Sequence, residues 1–346
     1  MASKYDVVNM TKEAANHMFP VDKEERILTL DKPLFIESAC PGWQIGGERY
    51  PAIPTTIKEQ IKEISESVKA GAGVVHIHPR DPQTSMMQIN PSLLKEIMDG
   101  VFDEVGDCVT WNHSWYPVPN GAIDYITETN ELLEMGEGNK YIQGSVVLPV
   151  GRFSGTAASL FTHKTTKEGL KWMEAHSVKP IYQLYDSYAH FHFKRFMDDG
   201  TSTWKPYVFN LHMGKHDSHA IHQDPWSFMN AIANVGMVKA TIPDSIIGMY
   251  PGGRNWLPIM IMGMMLGVDV VRVGVEDCYW MWPHKDDIIK KNSDTVKIAM
   301  EVANILGRRV VTDPNEIRSI CGMKLTSKLH GGTRLQPAKS PSLSGA

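Results

Sequence analysis

The stretch Val74-Val75-His76-Ile77-His78-Pro79-Arg80-Asp81 places two imidazoles two residues apart on an apolar segment. On a β-strand, residues i and i+2 point to the same face. The two rings would therefore project together, at the carboxyl end of the strand, where parallel α/β folds place their chemistry. Imidazole is the commonest metal ligand, so the sharp reading is a metal pair. Two hydrogen-bonded interior histidines, or a strand half exposed to water, would show the same spacing.

A second stretch, Val271-Arg272-Val273-Gly274-Val275-Glu276-Asp277, alternates valines with polar residues. On a strand the valines would face helices, and Arg272, Gly274 and Glu276 would face a barrel interior. A buried arginine and carboxylate must be paired or metal-bound, because each is costly alone. His76, His78 and Glu276 with an open fourth position would make a catalytic divalent-metal site, most often zinc. A structural Arg272–Asp277 ion pair without metal is the alternative. Four extended residues span about 13 Å. Arg272 can reach the level of Glu276 only if the chain bends or bulges at Gly274.

The elements that must carry these residues alternate regularly. Strands are expected at 34–40, 74–78, 108–112, 141–146, 179–184, 207–211, 245–249 and 268–273. Helices are expected at 55–70, 91–102, 123–135, 167–175, 188–197, 225–235, 257–266 and 287–306. Eight strand–helix units match a (β/α)8 TIM barrel of class α/β. A doubly wound open sheet usually carries Gly-x-Gly-x-x-Gly after its first strand, and that turn is absent here. Three regions follow: an N-terminal extension over 1–32, a (β/α)8 catalytic barrel over 33–310, and a C-terminal extension or tail over 311–346.

Other strand ends carry polar groups. Asn112 and Ser114 follow the third strand, and Gln183 lies at the end of the fifth; these are candidate substrate contacts. Gly252, Gly253 and Arg254 open the helix after the seventh strand. Free amides at a helix start favour phosphate there, as coenzyme A would supply. A glycine turn that merely connects two elements is equally consistent. His190 and His192 repeat the i, i+2 spacing but fall in an expected helix, where they do not share a face. His212, His216, His219 and His222 are read as a surface loop. Met260 to Met265 is read as core packing.

The chain has 346 residues and a net charge of −4, which argues against electrostatic nucleic-acid binding. Cys40, Cys108, Cys278 and Cys321 form no Cys-x-x-Cys pair. Few cysteines and no apolar leader point to the cytoplasm. The apolar run 257–268 is too short to span a bilayer.

His-Ile-His-Pro-Arg-Asp after an Ala-Gly-Ala-Gly helix end, with Arg-Val-Gly-Val-Glu-Asp on the last strand, resembles the β-keto acid cleavage enzymes. Pro51-Ala52-Ile53-Pro54-Thr55 and Gly252-Gly253-Arg254 with Pro258 fit the same pattern. The resemblance covers residues 33–310. It implies a zinc-containing (β/α)8 barrel that exchanges acyl groups between a β-keto acid and acetyl-CoA, giving acetoacetate and a new acyl-CoA. It implies Zn2+ on His76, His78 and Glu276, with Asp277 as base, held by Arg272. A homotetramer is implied as well. This chain departs from the family at Gln44, where some members have a carboxylate, and at Gln183, where glutamate is common. It also departs at Asn112-His113-Ser114-Trp115, which replaces a small hydroxyl–glycine segment.

Trp111, Trp115, Tyr116, Tyr279, Trp280 and Trp282 form an aromatic set at strands three and eight. It would suit a cationic substrate end by cation–π contact, or packing at a subunit interface. An amidohydrolase-type metal hydrolase is a rival. That group places its histidine pair on strand one and needs histidines at strands five and six. A non-catalytic metal-binding barrel is the third reading.

Overall fold

The computed structural model describes residues 24–42, 50, 52–111, 116–117, 123–124, 126–142, 145–147, 150–154, 157–185, 189–213 and 226–325. Eight parallel strands form one curled sheet. They are β1 (Phe35–Ala39), β2 (Val74–His76), β3 (Val109–Thr110), β4 (Ser145–Val147), β5 (Ile181–Leu184), β6 (Tyr207–Met213), β7 (Ser245–Pro251) and β8 (Val270–Val273). Their order is β3-β2-β1-β8-β7-β6-β5-β4. The first strand therefore lies against the last, with Glu37 opposite Arg272. The described pairings run continuously from β3 round to β4.

Helices follow the strands: α1 (Ile57–Lys69), α2 (Pro91–Val105), α3 (Thr127–Leu132), α4 (His163–Ala175), α5 (Ala189–Asp198), α6 (Trp226–Thr241), α7 (Trp256–Met265), α8 (Asn292–Ile305) and α9 (Pro314–Ile320). α1 starts at a capping box, in which the Thr56 hydroxyl accepts from the Glu59 amide and the Glu59 carboxylate accepts from the Thr56 amide. This satisfies two amides that the helix itself cannot. Gly71 ends the following turn at φ +122°, a conformation that side chains resist.

Strand alternation sorts the side chains. Ile36, Leu184, Phe209, Leu211, Ile247, Met249, Val271 and Val273 pack in the large apolar cluster with residues of the outer helices. Phe35, Val74, Val109, Ile181, Val208 and Val270 form a separate inner cluster. One step further along the strands the interior turns polar: Glu37, His76, Gln183, Asn210 and Arg272 are all buried. An apolar floor thus carries a polar layer at the carboxyl ends.

Several elements differ from expectation. Helix α3 starts at Thr127 rather than 123, because Ile123–Asp124 pairs antiparallel with Tyr116–Pro117. A second hairpin, Val150–Ser154 with Ala157–Phe161, was not expected. Residues 311–323 of the C-terminal extension pack against the sheet. Val311 donates its amide to Leu34, and Ile317 and Cys321 are fully buried in the inner cluster. β6 runs to Met213, so His212 is a buried strand residue and not part of a surface loop. His216, His219 and His222 lie outside the described residues. His190 falls in α5, as the helical reading requires. All four cysteines are buried free thiols. Among the described residues no helix is long and apolar enough to cross a membrane.

Candidate metal centre

His76 closes β2, and His78 lies just beyond it. Proline at 79 cannot donate to a ladder and helps end the pairing there. The two rings meet edge to face, with centroids 4.8 Å apart. The Nδ1 of His76 lies 2.6 Å from the carbonyl oxygen of Trp111. A carbonyl only accepts, so in the neutral ring Nδ1 carries the proton and Nε2 presents a lone pair. That Nε2 faces His78 Nε2 at 3.0 Å and Glu276 Oε2 at 3.1 Å. His78 Nε2 lies 3.6 Å from Glu276 Oε1.

Glu276 arrives from the other end of the chain by a sharp turn. β8 stops at Val273, and Gly274 takes φ +134°. The amides of Asp277 and Cys278 both return to the Gly274 carbonyl. The expected bend at Gly274 is therefore present, and only glycine fits there. A Cβ at 274 would lie 2.4 Å from the Ala39 carbonyl oxygen and 2.6 Å from the Asn292 side chain. Asn292 also accepts from the Val275 amide and donates to Ser38 and Ser67, which ties the turn to β1 and α1. Gly42 leaves room for Glu276, whose Cβ would lie 2.2 Å from any side chain there.

Arg272 lies directly below. Its Nε donates to Asp277 at 2.6 Å, and its Nη2 reaches Glu276 at 2.7 Å and Asp277 at 3.3 Å. Nη1 faces Glu37 at 3.4 Å. Burial disfavours the guanidinium charge, but Asp277, Glu276 and Glu37 together outweigh that and hold its pKa above the usual value.

The donor set fits a divalent cation. A tetrahedral zinc with bonds of about 2.0–2.1 Å would hold its donors about 3.3 Å apart. The two imidazole nitrogens are 3.0 Å apart, Nε2 of His76 lies 3.1 Å from one carboxylate oxygen of Glu276 and Nε2 of His78 lies 3.6 Å from the other, and one donor from each residue lies within 4.8 Å of the rest. Charge agrees. One guanidinium faces three buried carboxylates, so the ionised cluster has two negative charges in excess. Buried Arg80 adds positive charge near Glu276, and a cation between the imidazoles and Glu276 would offset the remainder. Among the described residues, His76, His78 and Glu276 form the one group of this kind.

The remaining candidates divide. Asn112 and Ser114 lie outside the described residues. Gln183 is buried, and its Oε1 lies 2.6 Å from His212 Nε2. His212 stacks on Tyr185 at 4.2 Å. The glycine amides are not free for phosphate: Gly252 donates to Met213 at 2.9 Å and Gly253 to Asp277 at 2.8 Å. Arg254 pairs with Asp286 at 2.5 Å and lies 4.0 Å above Trp280. Of the aromatic set, Trp115 lies outside the described residues, and Tyr279 packs edge-on to Trp280 with centroids 4.8 Å apart. Trp111 is buried against Phe35 in the floor, and Arg254 already covers Trp280. Sequence reading missed Glu37, Tyr250, Asn292 and Arg80. A buried arginine two residues beyond His78 was visible in the motif; Arg80 donates there to the carbonyls of Ser85 and Gly42.

A parallel α/β sheet that brings a His-x-His pair, a carboxylate from the turn after its last strand and an arginine-held aspartate to one rim carries a candidate divalent-metal site. The chain belongs to the β-keto acid cleavage enzyme family, whose pattern matches residues 33–323. It is 24% identical over 294 residues to the 3-keto-5-aminohexanoate cleavage enzyme of Fusobacterium nucleatum, covering 84% of this chain and 98% of that protein. It is 24% identical over 319 residues to the 3-dehydrocarnitine:acetyl-CoA trimethylamine transferase of Rhizobium meliloti, covering 87% and 99%. The structure of ObcA bound to oxaloacetate superposes with a TM-score of 0.63 at 16% identity, covering 80% of this chain and 68% of that one. That last likeness speaks to fold alone.

Proposed function

We propose that the chain is a zinc-dependent β-keto acid:acetyl-CoA C-acyltransferase on a closed (β/α)8 barrel. The observation that carries this is the placement of Asp277 beside the His76–His78–Glu276 donor set, both gripped by one guanidinium. A zinc ion held by His76, His78 and Glu276 supplies a Lewis acid for the keto oxygen.

Asp277 takes the proton from C2 of the keto acid, oriented by Arg272. The resulting carbanion attacks the acetyl thioester, and the CoA thiolate leaves. The thiolate then attacks the original keto carbonyl, and the bond between C2 and that carbon breaks. The acyl group leaves as a new acyl-CoA, and acetoacetate takes back a proton from Asp277. Asn112, Ser114 and Gln183 contact the keto acid. Arg254 at the start of α7 is the coenzyme A contact, beside Gly252 and Gly253, whose amides are already bonded within the chain. A cytoplasmic homotetramer is the working form.

The names of the two relatives carry an amino group in one case and trimethylamine in the other. A panel of β-keto acids should therefore include neutral, amino and trimethylammonium members. Incubation of the panel with acetyl-CoA should yield acetoacetate with at least one member. Zinc-loaded protein that gives acetoacetate with none would refute the reading.

A further inference from the structure

We propose that Glu37 and Tyr250 form a clamp that fixes the rotation of Arg272 and, through it, the position of Asp277. The proposal rests on the functional reading above for its kinetic consequence, but not for its structural one.

Glu37 lies on β1 directly opposite Arg272 on β8, in the register of two paired parallel strands. Both face the interior, and their exposures are 1% and 3%. Tyr250, also 1% exposed, comes from β7 on the other side of β8. Its hydroxyl donates to Oε2 of Glu37, while Oε1 of Glu37 faces Nη1 of Arg272. The Tyr250 ring lies 5.0 Å from the guanidinium carbon. Gly248 makes room for that ring, since a Cβ there would lie 2.9 Å from a Tyr250 ring carbon.

The division of the guanidinium is the point. Nε and Nη2 serve Asp277 and Glu276. Glu37 takes the remaining nitrogen, from behind. A planar fork held on one edge alone could swing about its side-chain torsions. Held on both edges, it has one orientation. Burying a third carboxylate is a poor way to gain stability, because an apolar residue of like volume is often neutral or better. It is a good way to hold a fork that must deliver a base. Glu37 and Tyr250 touch neither substrate nor metal in this account. They are positioning residues.

The test uses Glu37→Gln, Tyr250→Phe and the double variant, all near-isosteric. Nitrogen-15 NMR reads the Arg272 Nε–H, assigned by its loss in Arg272→Lys. Wild type should give a slowly exchanging signal, and each single variant should speed its exchange. On the keto acid that wild type turns over, kcat should fall about tenfold to a hundredfold with KM nearly unchanged. The double variant should be no worse than Glu37→Gln alone, because both act through one carboxylate. An unchanged Nε–H in both single variants would overturn the clamp. So would additive losses of kcat that track the loss of melting temperature. If wild type cleaves no keto acid, the functional reading fails while the NMR arm still decides the clamp.

Discussion

Asp277 is one of two carboxylates that share the active edge of Arg272, and the other is assigned to metal. The two roles separate by substitution. Asp277→Asn keeps the shape and one of the two acceptors for Arg272 but removes the base. It should lower kcat by about a hundredfold to ten-thousandfold with metal content unchanged; steady-state rates and metal analysis on the same sample check this. The juxtaposition of His76, His78 and Glu276 was legible because a His-x-His pair before a proline and a glutamate closing a valine-alternating stretch both fall at strand ends. Glu37 was not. Its neighbours Ile36 and Ser38 give no charge pattern, and its partners Tyr250 and Arg272 are more than two hundred residues away. The amides of Gly252 and Gly253 illustrate the same limit. A glycine turn shows that backbone can come close to something, but not that Met213 and Asp277 already occupy it.

The turn after β8 converts a strand into a site. A regular strand would carry Glu276 and Asp277 away from Arg272. The left-handed Gly274 folds them back so that one guanidinium meets both. The required bend could be anticipated from distance alone, since a four-residue extended run is too long for an ion pair. The need for glycine at 274 could not, because Ala39 and Asn292, which a side chain there would strike, come from other elements. Gly274→Ala should force Ala39 or Asn292 away and cost several kcal/mol, roughly 2–4. Chemical denaturation should show that loss, and metal content should fall with it. The regular alternation of strand and helix patterns made the strands of the parallel sheet readable. The short hairpins were not, since two-residue pairings such as Tyr116–Pro117 with Ile123–Asp124 leave no periodic trace.

Across the whole molecule, the amino-terminal end of the sheet is closed by its own polar ties. Lys179 is fully buried there and donates to the carbonyls of Trp204 and Pro206. Burial lowers its pKa to about 8, with Cys321 and Glu174 acting weakly the other way. Folded Lys179 therefore releases its proton before unfolded Lys179 does. The unfolded chain binds more protons between pH 8 and about 10.4, so stability should rise with pH across that window. The melting temperature of wild type relative to Lys179→Met, measured from pH 7 to 10, should show the rise. α9 belongs to this closure: Arg318 forms a fork with Asp107, and Ile317 fills the floor. A chain ending at 310 should expose Phe35, Val74 and Val109 and lose cooperative unfolding in a thermal scan.

The central claim is that strands from opposite ends of the chain bring His76, His78 and Glu276 around one divalent cation. Metal content by plasma mass spectrometry on purified wild type, on His76→Ala/His78→Ala and on Glu276→Gln tests it most directly. Wild type should carry about one zinc per chain, and both variants should lose most of it while remaining folded by circular dichroism. Full zinc in the double histidine variant, or none in wild type refolded with zinc present, would contradict it.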